Sequence, residues 1–232
     1  MAGGYNTECT SLKYFRENGF LIHDSFYGLQ ENEILLTALI TGGAFDFTKA
    51  HSTDNFLLRI RELQELAYSE KIMDFGSNIL GNSIKPIDAF ILDKTLRSNW
   101  ELNWHQDLKL RVKNRSDLPG YSNWSLEAGI WHAVPPVSVL TQLLIMRIHL
   151  DECNNRNGAI MVIPGSHRLG IIGDRNIPEI VKTKEIYHCE VNAGGAMFMS
   201  PLLLHKSPRS LSHQPRRTLQ IIYMPAELND LL

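Results

Sequence analysis

A chain of 232 residues that is 44% hydrophobic and 21% charged carries enough apolar material for one packed core, which excludes a disordered or fibrous protein. Its 23 Lys plus Arg against 25 Asp plus Glu leave a formal net charge of −2. No overall basic field is available to hold nucleic acid or an anionic membrane, and the expected partner is a small molecule. The cysteines Cys9, Cys153 and Cys189 show no C-x-x-C spacing. With no secretory leader pattern and no apolar run long enough to span a membrane, a reducing cytoplasm is the expected location.

The first third reads as helical. Ser11 is placed to cap a short helix ending at Gly19, and residues 31–40 carry apolar side chains at helical spacing before Gly42-Gly43. Asp54 opens another amphipathic stretch with Phe56, Ile60, Leu63 and Leu66 on one stripe, and a further helix runs from Glu70 to Leu80 before Gly81. From about residue 84 the texture changes to short runs rich in Val, Ile, Met and Tyr, bounded by Gly, Pro and Asn. The expected strands are 89–92, 100–105, 139–150, 159–163, 186–191, 196–199 and 218–223. Residues 111–136 and 168–184 read as long loops, lids or binding loops that would set substrate choice. Strands that follow helices without alternating with them predict a mainly β, α+β protein. Its core would be a jelly roll, a cupin-like double-stranded β-helix, with N-terminal helices packed outside. One domain over 1–232 is expected, helical over about 10–80 and β over about 84–225.

The sharpest chemical signal is Trp104-His105-Gln106-Asp107. Residues two apart on a strand share a face, so an imidazole and a carboxylate would aim at one point. His205 lies far downstream, with Arg216 eleven residues later. His, carboxylate and distant His form the facial triad that leaves positions open on Fe(II), and an arginine nearby would hold a carboxylate in its planar fork. His149-Leu150-Asp151 repeats the H-x-D spacing, and spacing alone does not choose between the pairs. Strand parity groups Arg216 with Thr218 and Gln220, and Arg217 with Leu219, Ile221 and Tyr223. It permits Arg216 as the anchor and leaves Arg217 as the alternative.

Other residues have two readings each. Lys94 either reaches an anionic cosubstrate or is a solvated lysine. Arg147 shares a face with His149 and, if directed inward, needs a polar partner and could touch substrate. Trp104 is core or the wall of a substrate pocket. Pro164-Gly165-Ser166-His167 reads as a structural turn, and the alternating Lys109, Arg111, Lys113 and Arg115 as a solvated face.

From residue 99 to 223 the chain resembles the phytanoyl-CoA dioxygenase family of Fe(II)/2-oxoglutarate oxygenases. The matching pieces are NWHQD at 103–107, HLDECNNRNGAIMVIPGSHRLG at 149–170, NAGGAMFMSPLLLH at 192–205 and HKSPRSLSHQPRR at 205–217. The resemblance implies iron held by His105, Asp107 and His205, and 2-oxoglutarate held by Arg216 and Ser207, while the pair at 149 and 151 takes a structural place. It also implies hydroxylation of an unactivated C–H of a small organic molecule, using O2 and releasing succinate and CO2. Related halogenases replace the carboxylate with a small residue, so Asp107 favours oxidation. Two other classes share these residues: a Zn(II)-type hydrolase or isomerase that would leave Arg216 unused, and a non-catalytic jelly-roll binding module.

Overall fold

The structure, a computed structural model, describes residues 4–44, 60–95, 98–115, 118–127 and 129–228, with side chains from residue 10 onward. Helix α1 (Gly4–Asn18) begins well before Ser11, which therefore lies inside the helix and does not cap it. The helix stops at Gly19, whose φ of +80° is open to glycine without strain. A Cβ there would fall 2.4 Å from His167 Nδ1, so this glycine also lets the 164–167 turn close against α1.

Strand β1 (Phe20–His23) follows, a strand too short to show in the sequence pattern. Helix α2 (Leu29–Thr41) runs to Gly42 as expected. Asp54 and Phe56 lie outside the described residues; the described part of that stretch forms α3 (Arg61–Ala67), and α4 (Glu70–Leu80) follows as expected. In α4 the buried residues Ile72, Gly76 and Ile79 form one stripe, the spacing that turns a helix face toward a core.

The remaining elements are β2 (Ile84–Lys94), β3 (Leu102–His105), β4 (Leu110–Val112), β5 (Ser122–Glu127), β6 (Ile130–Val134), α5 (Val137–Leu140), β7 (Leu144–His149), β8 (Met161–Val162), α6 (Ile177–Thr183), β9 (Tyr187–His188), β10 (Ala196–Met199), β11 (His205–Ser207) and β12 (Arg216–Pro225). They pair into a five-stranded sheet β1-β10-β7-β12-β2, a four-stranded sheet β3-β11-β8-β9 and a three-stranded sheet β4-β6-β5. Every described pairing between these strands is antiparallel.

Three expectations are corrected here. Residues 139–150 are not one strand, because the short helix α5 precedes β7. Residues 111–136 are not a loop: they include most of the small third sheet. The segment 168–184 contains α6.

The large sheet is buried on both faces, and β12 shows how. Leu219, Ile221 and Tyr223 pack with Phe26, Leu39, Leu63 and Ile72 beneath the helices, while Ile222 and Met224 pack with Val162 and Met199 on the opposite side. Each such side chain contributes about 1.5–3 kcal/mol when buried. The helices seal one face, and the other face opens toward the functional site. Among the described residues no helix is long and apolar enough to cross a membrane.

Candidate active site

His105 ends β3 and His205 begins β11, where the two are register partners with ring centroids 4.2 Å apart. Asp107 lies beyond the end of β3, so pleat alone does not aim it. Gln106 is pinned: its amide donates to the Gly170 and Leu202 carbonyls at 2.9 and 2.6 Å, and its Oε1 accepts from Ile172 N at 2.8 Å. Asp107 N donates to Pro201 O at 2.9 Å. These bonds return the carboxylate to the histidines, with Oδ1 3.5 Å from His105 Nε2 and 3.7 Å from His205 Nε2.

Both imidazoles are held in one orientation. His105 Nδ1 meets Asn103 O at 2.6 Å and His205 Nδ1 meets Leu203 O at 2.9 Å. With the ring protons placed on those carbonyls, both Nε2 lone pairs face the carboxylate, the arrangement a metal ligand needs. Burial pushes the His205 imidazole down to about 3, so it is neutral. Burial raises the Asp107 carboxyl, but His205, His105 and Arg147 outweigh that and hold it well below the ordinary carboxylate range. One atom from each residue lies within 4.8 Å of the others, and His205 Nε2 is buried with no partner. A buried acceptor nitrogen without a bond is costly unless something else binds there; two nitrogens and a carboxylate suit a divalent first-row metal.

The inner face of the large sheet supplies the surroundings. Register places Lys94 beside Arg216, Leu92 beside Thr218 and His149, Phe90 beside Gln220 and Arg147, and Asp88 beside Ile222 and Ile145. Arg147, buried as the sequence required only if partnered, donates from Nε to Gln220 Oε1 at 2.6 Å and sets Nη2 3.6 Å from Asp107 Oδ2. It braces the carboxylate oxygen turned away from the histidines.

Further along the same strand as Gln220, Arg216 is 1% exposed and its Nε and Nη2 have no partner. Lys94 is fully buried, donates to Ser207 Oγ at 3.0 Å and to the Pro208 carbonyl, and lies 4.1 Å from the Trp100 ring, with Arg216 Cζ 5.3 Å from the same ring. Burial, then the Arg216 charge, pulls the Lys94 amine down to about 7. Among the described residues neither cation makes an ion pair. Two adjacent buried cations without an anion are unfavourable by themselves and call for one from outside.

The competing residues are placed elsewhere. Arg217 is committed to Asp151 through two bonds of 2.8 and 2.7 Å, which removes it as the free anchor and breaks up the pair at 149 and 151. Burial, with Arg216 and Arg147 adding, lowers His149 to about 3, so it contributes a neutral ring. His167 meets Arg16 O at 3.2 Å, a structural contact. Trp104 packs with Ile163, Ile172 and Leu204 and does not line the cavity in front of the triad.

That cavity measures about 560 Å³ and runs between the large sheet and the small third sheet, with His105, Asp107 and Arg147 at its inner end. Lys109 and Arg111, expected on a solvated face, line it: Lys109 pairs with Glu127 at 2.7 Å and Arg111 with Asp88 at 3.4 Å. Sequence reasoning placed Gln220 on a polar face without a role and missed Trp100, Asp88 and His132. The parity of β12 already put Gln220 on the face of Arg216; the others depend on pairing between distant strands.

The sheets and the triad define a double-stranded β-helix protein with a candidate metal centre at one end. Residues 44–218 match the family described as Phytanoyl-CoA dioxygenase (PhyH), and the chain belongs to that family. A comparison with curated proteins finds no match. Among solved structures it is similar to the non-heme alpha ketoglutarate dependent epimerase SnoN from nogalamycin biosynthesis (TM-score 0.74, 14% identity, 96% of this chain and 84% of that one). It is also similar to the carbocyclase SnoK from the same biosynthesis (0.69, 16%, 94% and 83%) and to iron-bound EctD from S. alaskensis (0.72, 19%, 96% and 78%). At these identities the likeness is one of fold.

Proposed function

We propose that this chain is an Fe(II)- and 2-oxoglutarate-dependent oxygenase that hydroxylates an unactivated C–H of a small organic molecule, releasing succinate and CO2. The observation that carries it is the combination of a His105, Asp107, His205 donor set with a buried Arg216 whose Nε and Nη2 lack hydrogen-bond partners. A hydrolase needs the donors and has no use for the arginine. A binding module needs neither. Proteins of similar fold include an epimerase and a carbocyclase; Asp107, retained as a third donor, favours an oxidation over halogenation, and hydroxylation is the oxidation we propose. Helices and sheets belong to one domain in this reading, and the unpaired thiols of Cys153 and Cys189 suit the cytoplasm.

His105, Asp107 and His205 would hold the iron, which activates O2 through the oxidative decarboxylation of 2-oxoglutarate. Arg216 binds the far carboxylate of the cosubstrate with its two unpartnered N–H groups, and Ser207 adds a hydroxyl. Lys94 supplies a second positive charge when protonated. Arg147 and Gln220 keep the Asp107 carboxylate in place. The apolar wall of the cavity excludes water from the face where substrate enters.

Anaerobic titration with Fe(II) and then 2-oxoglutarate tests this assignment. A visible charge-transfer band should grow to saturation with one cosubstrate per chain; iron bound without a band would contradict it. The role of Lys94 has its own signature. Because its amine is charged below about 7 and neutral above, 2-oxoglutarate should bind about tenfold more weakly at pH 8.5 than at pH 6.5. In Lys94→Met that pH dependence should vanish; its persistence would remove Lys94 from the cosubstrate site.

A further inference from the structure

We infer that the substrate is an uncharged, largely apolar molecule, and not a CoA thioester, a carboxylate or a zwitterion. The inference rests on the oxygenase reading for what happens to the molecule, and on the cavity wall alone for how it is chosen. Phe90, Leu92, Leu102, Leu108, Ile130 and Ile222 supply the apolar surface of a cavity of about 560 Å³, a volume that suits a compact small molecule.

The wall also contains Lys109, Arg111 and Arg147, and opposite them Glu127, Asp88 and Asp107. Each cation has its own carboxylate: Lys109 Nζ to Glu127 Oε1 at 2.7 Å, Arg111 Nε to Asp88 Oδ2 at 3.4 Å and Arg147 Nη2 to Asp107 Oδ2 at 3.6 Å. Ser125 joins the first pair, receiving a bond from Lys109 and giving one to Glu127. Three positive and three negative groups thus cancel within the lining.

An anionic substrate entering this wall would lose hydration and would have to displace a carboxylate from each cation it used. A CoA thioester carries phosphate groups that need several basic side chains, and each basic residue of this lining among the described residues is already matched. The cations without an ion pair, Arg216 and Lys94, lie outside this lining. The molecule therefore keeps its two cations without ion pairs apart from its charge-balanced cavity. The bridging Lys109–Glu127 and Arg111–Asp88 pairs tie the third sheet to itself and to β2, so the same residues that cancel charge also fix the shape of the opening.

The test uses the full chain, both metal-free and loaded anaerobically with Fe(II) and 2-oxoglutarate, and the neutral fluorescent probe N-phenyl-1-naphthylamine. Displacement is measured with 1-decanol, decanoate and decanoyl-CoA, which share one alkyl chain. The expected result is probe binding in the cavity and displacement by 1-decanol at a concentration at least tenfold below that of either charged compound. Asp88→Asn removes one wall carboxylate and should shift the preference between decanoate and 1-decanol about tenfold toward decanoate, read as the ratio of their displacement concentrations in the variant against that in the native chain. Failure of the probe to bind, decanoate or decanoyl-CoA matching or surpassing 1-decanol, or an unchanged preference in Asp88→Asn would each overturn the inference. Because the metal-free arm needs neither iron nor cosubstrate, failure of the oxygenase assignment would show in the absorption titration while leaving this result standing.

Discussion

Asp107→Ala should weaken iron binding by at least about 100-fold, because it removes a direct ligand where loss of a supporting partner alone costs 10–100-fold. It should also lower stability. Asp107 Oδ2 is the carboxylate oxygen beside the buried Arg147 guanidinium, and stripping a buried cation of its anion costs about 3 kcal/mol, roughly 6–12 °C in Tm for a chain of this size. Asp107→Asn separates the two effects. Its amide keeps the shape and a polar oxygen beside Arg147 but not the charge, so the Tm should recover only part of the loss seen in Asp107→Ala while iron affinity falls in both. Iron binding by isothermal titration and thermal unfolding of both variants decide the point. Native iron affinity in either variant would remove Asp107 from the metal site, and equal Tm values would remove Arg147 from the role of brace.

Arg216→Met should do the reverse to stability. The guanidinium is buried with two nitrogens unpartnered, and replacing an uncompensated buried cation by an apolar side chain of similar length is expected to stabilise the ligand-free protein by about 1–4 kcal/mol. The same change should weaken 2-oxoglutarate binding more than about 100-fold, the equivalent of two charge-assisted hydrogen bonds. Thermal unfolding with and without saturating 2-oxoglutarate makes both effects visible: the cosubstrate should raise the native Tm and leave that of Arg216→Met unchanged. A variant that is less stable than the native chain and equally stabilised by 2-oxoglutarate would contradict the assignment. Stability given up at this residue in exchange for ligand affinity is a common property of binding sites.

Much of this was legible in the sequence, and the exceptions have physical causes. β10 is apolar throughout and β12 is mostly so from Leu219 to Pro225 because the large sheet is covered on both faces, so their pattern stands out. The run 139–150 misleads at its start because Val137-Ser138-Val139-Leu140 has strand composition; Pro136 at the helix N-cap and the carbonyl bonds it accepts there override local propensity. The third sheet was hidden because β4 has three residues and β5 carries a polar, irregular pairing with a register shift between Ser122 and Ser125. Ser11 looked like a cap because the residues before it are polar, yet α1 extends through them.

The site divides in the same way. His105, Asp107, His205 and Arg216 were singled out by the resemblance to a family, since spacing alone left 149 and 151 and Arg217 as alternatives. What could not be read is which charge meets which. Arg147 braces Asp107 only because β7 and β12 register places Gln220 beside it, and Lys94 becomes a partner of Arg216 only through the β2–β12 pairing. Arg217, a neighbour of Arg216 in the chain, is excluded by its two bonds to Asp151. Such facts belong to long-range pairing, where one residue of register changes every neighbour.

The central claim is that this chain activates dioxygen with 2-oxoglutarate, and isotope incorporation tests it most directly. The purified chain, supplied with Fe(II), 2-oxoglutarate and 18O2 without added substrate, should form succinate slowly, with one labelled oxygen per succinate and none derived from water during its formation. Asp107→Ala should form none. Iron-loaded protein that releases no succinate, or succinate whose new oxygen comes from water, would contradict the account.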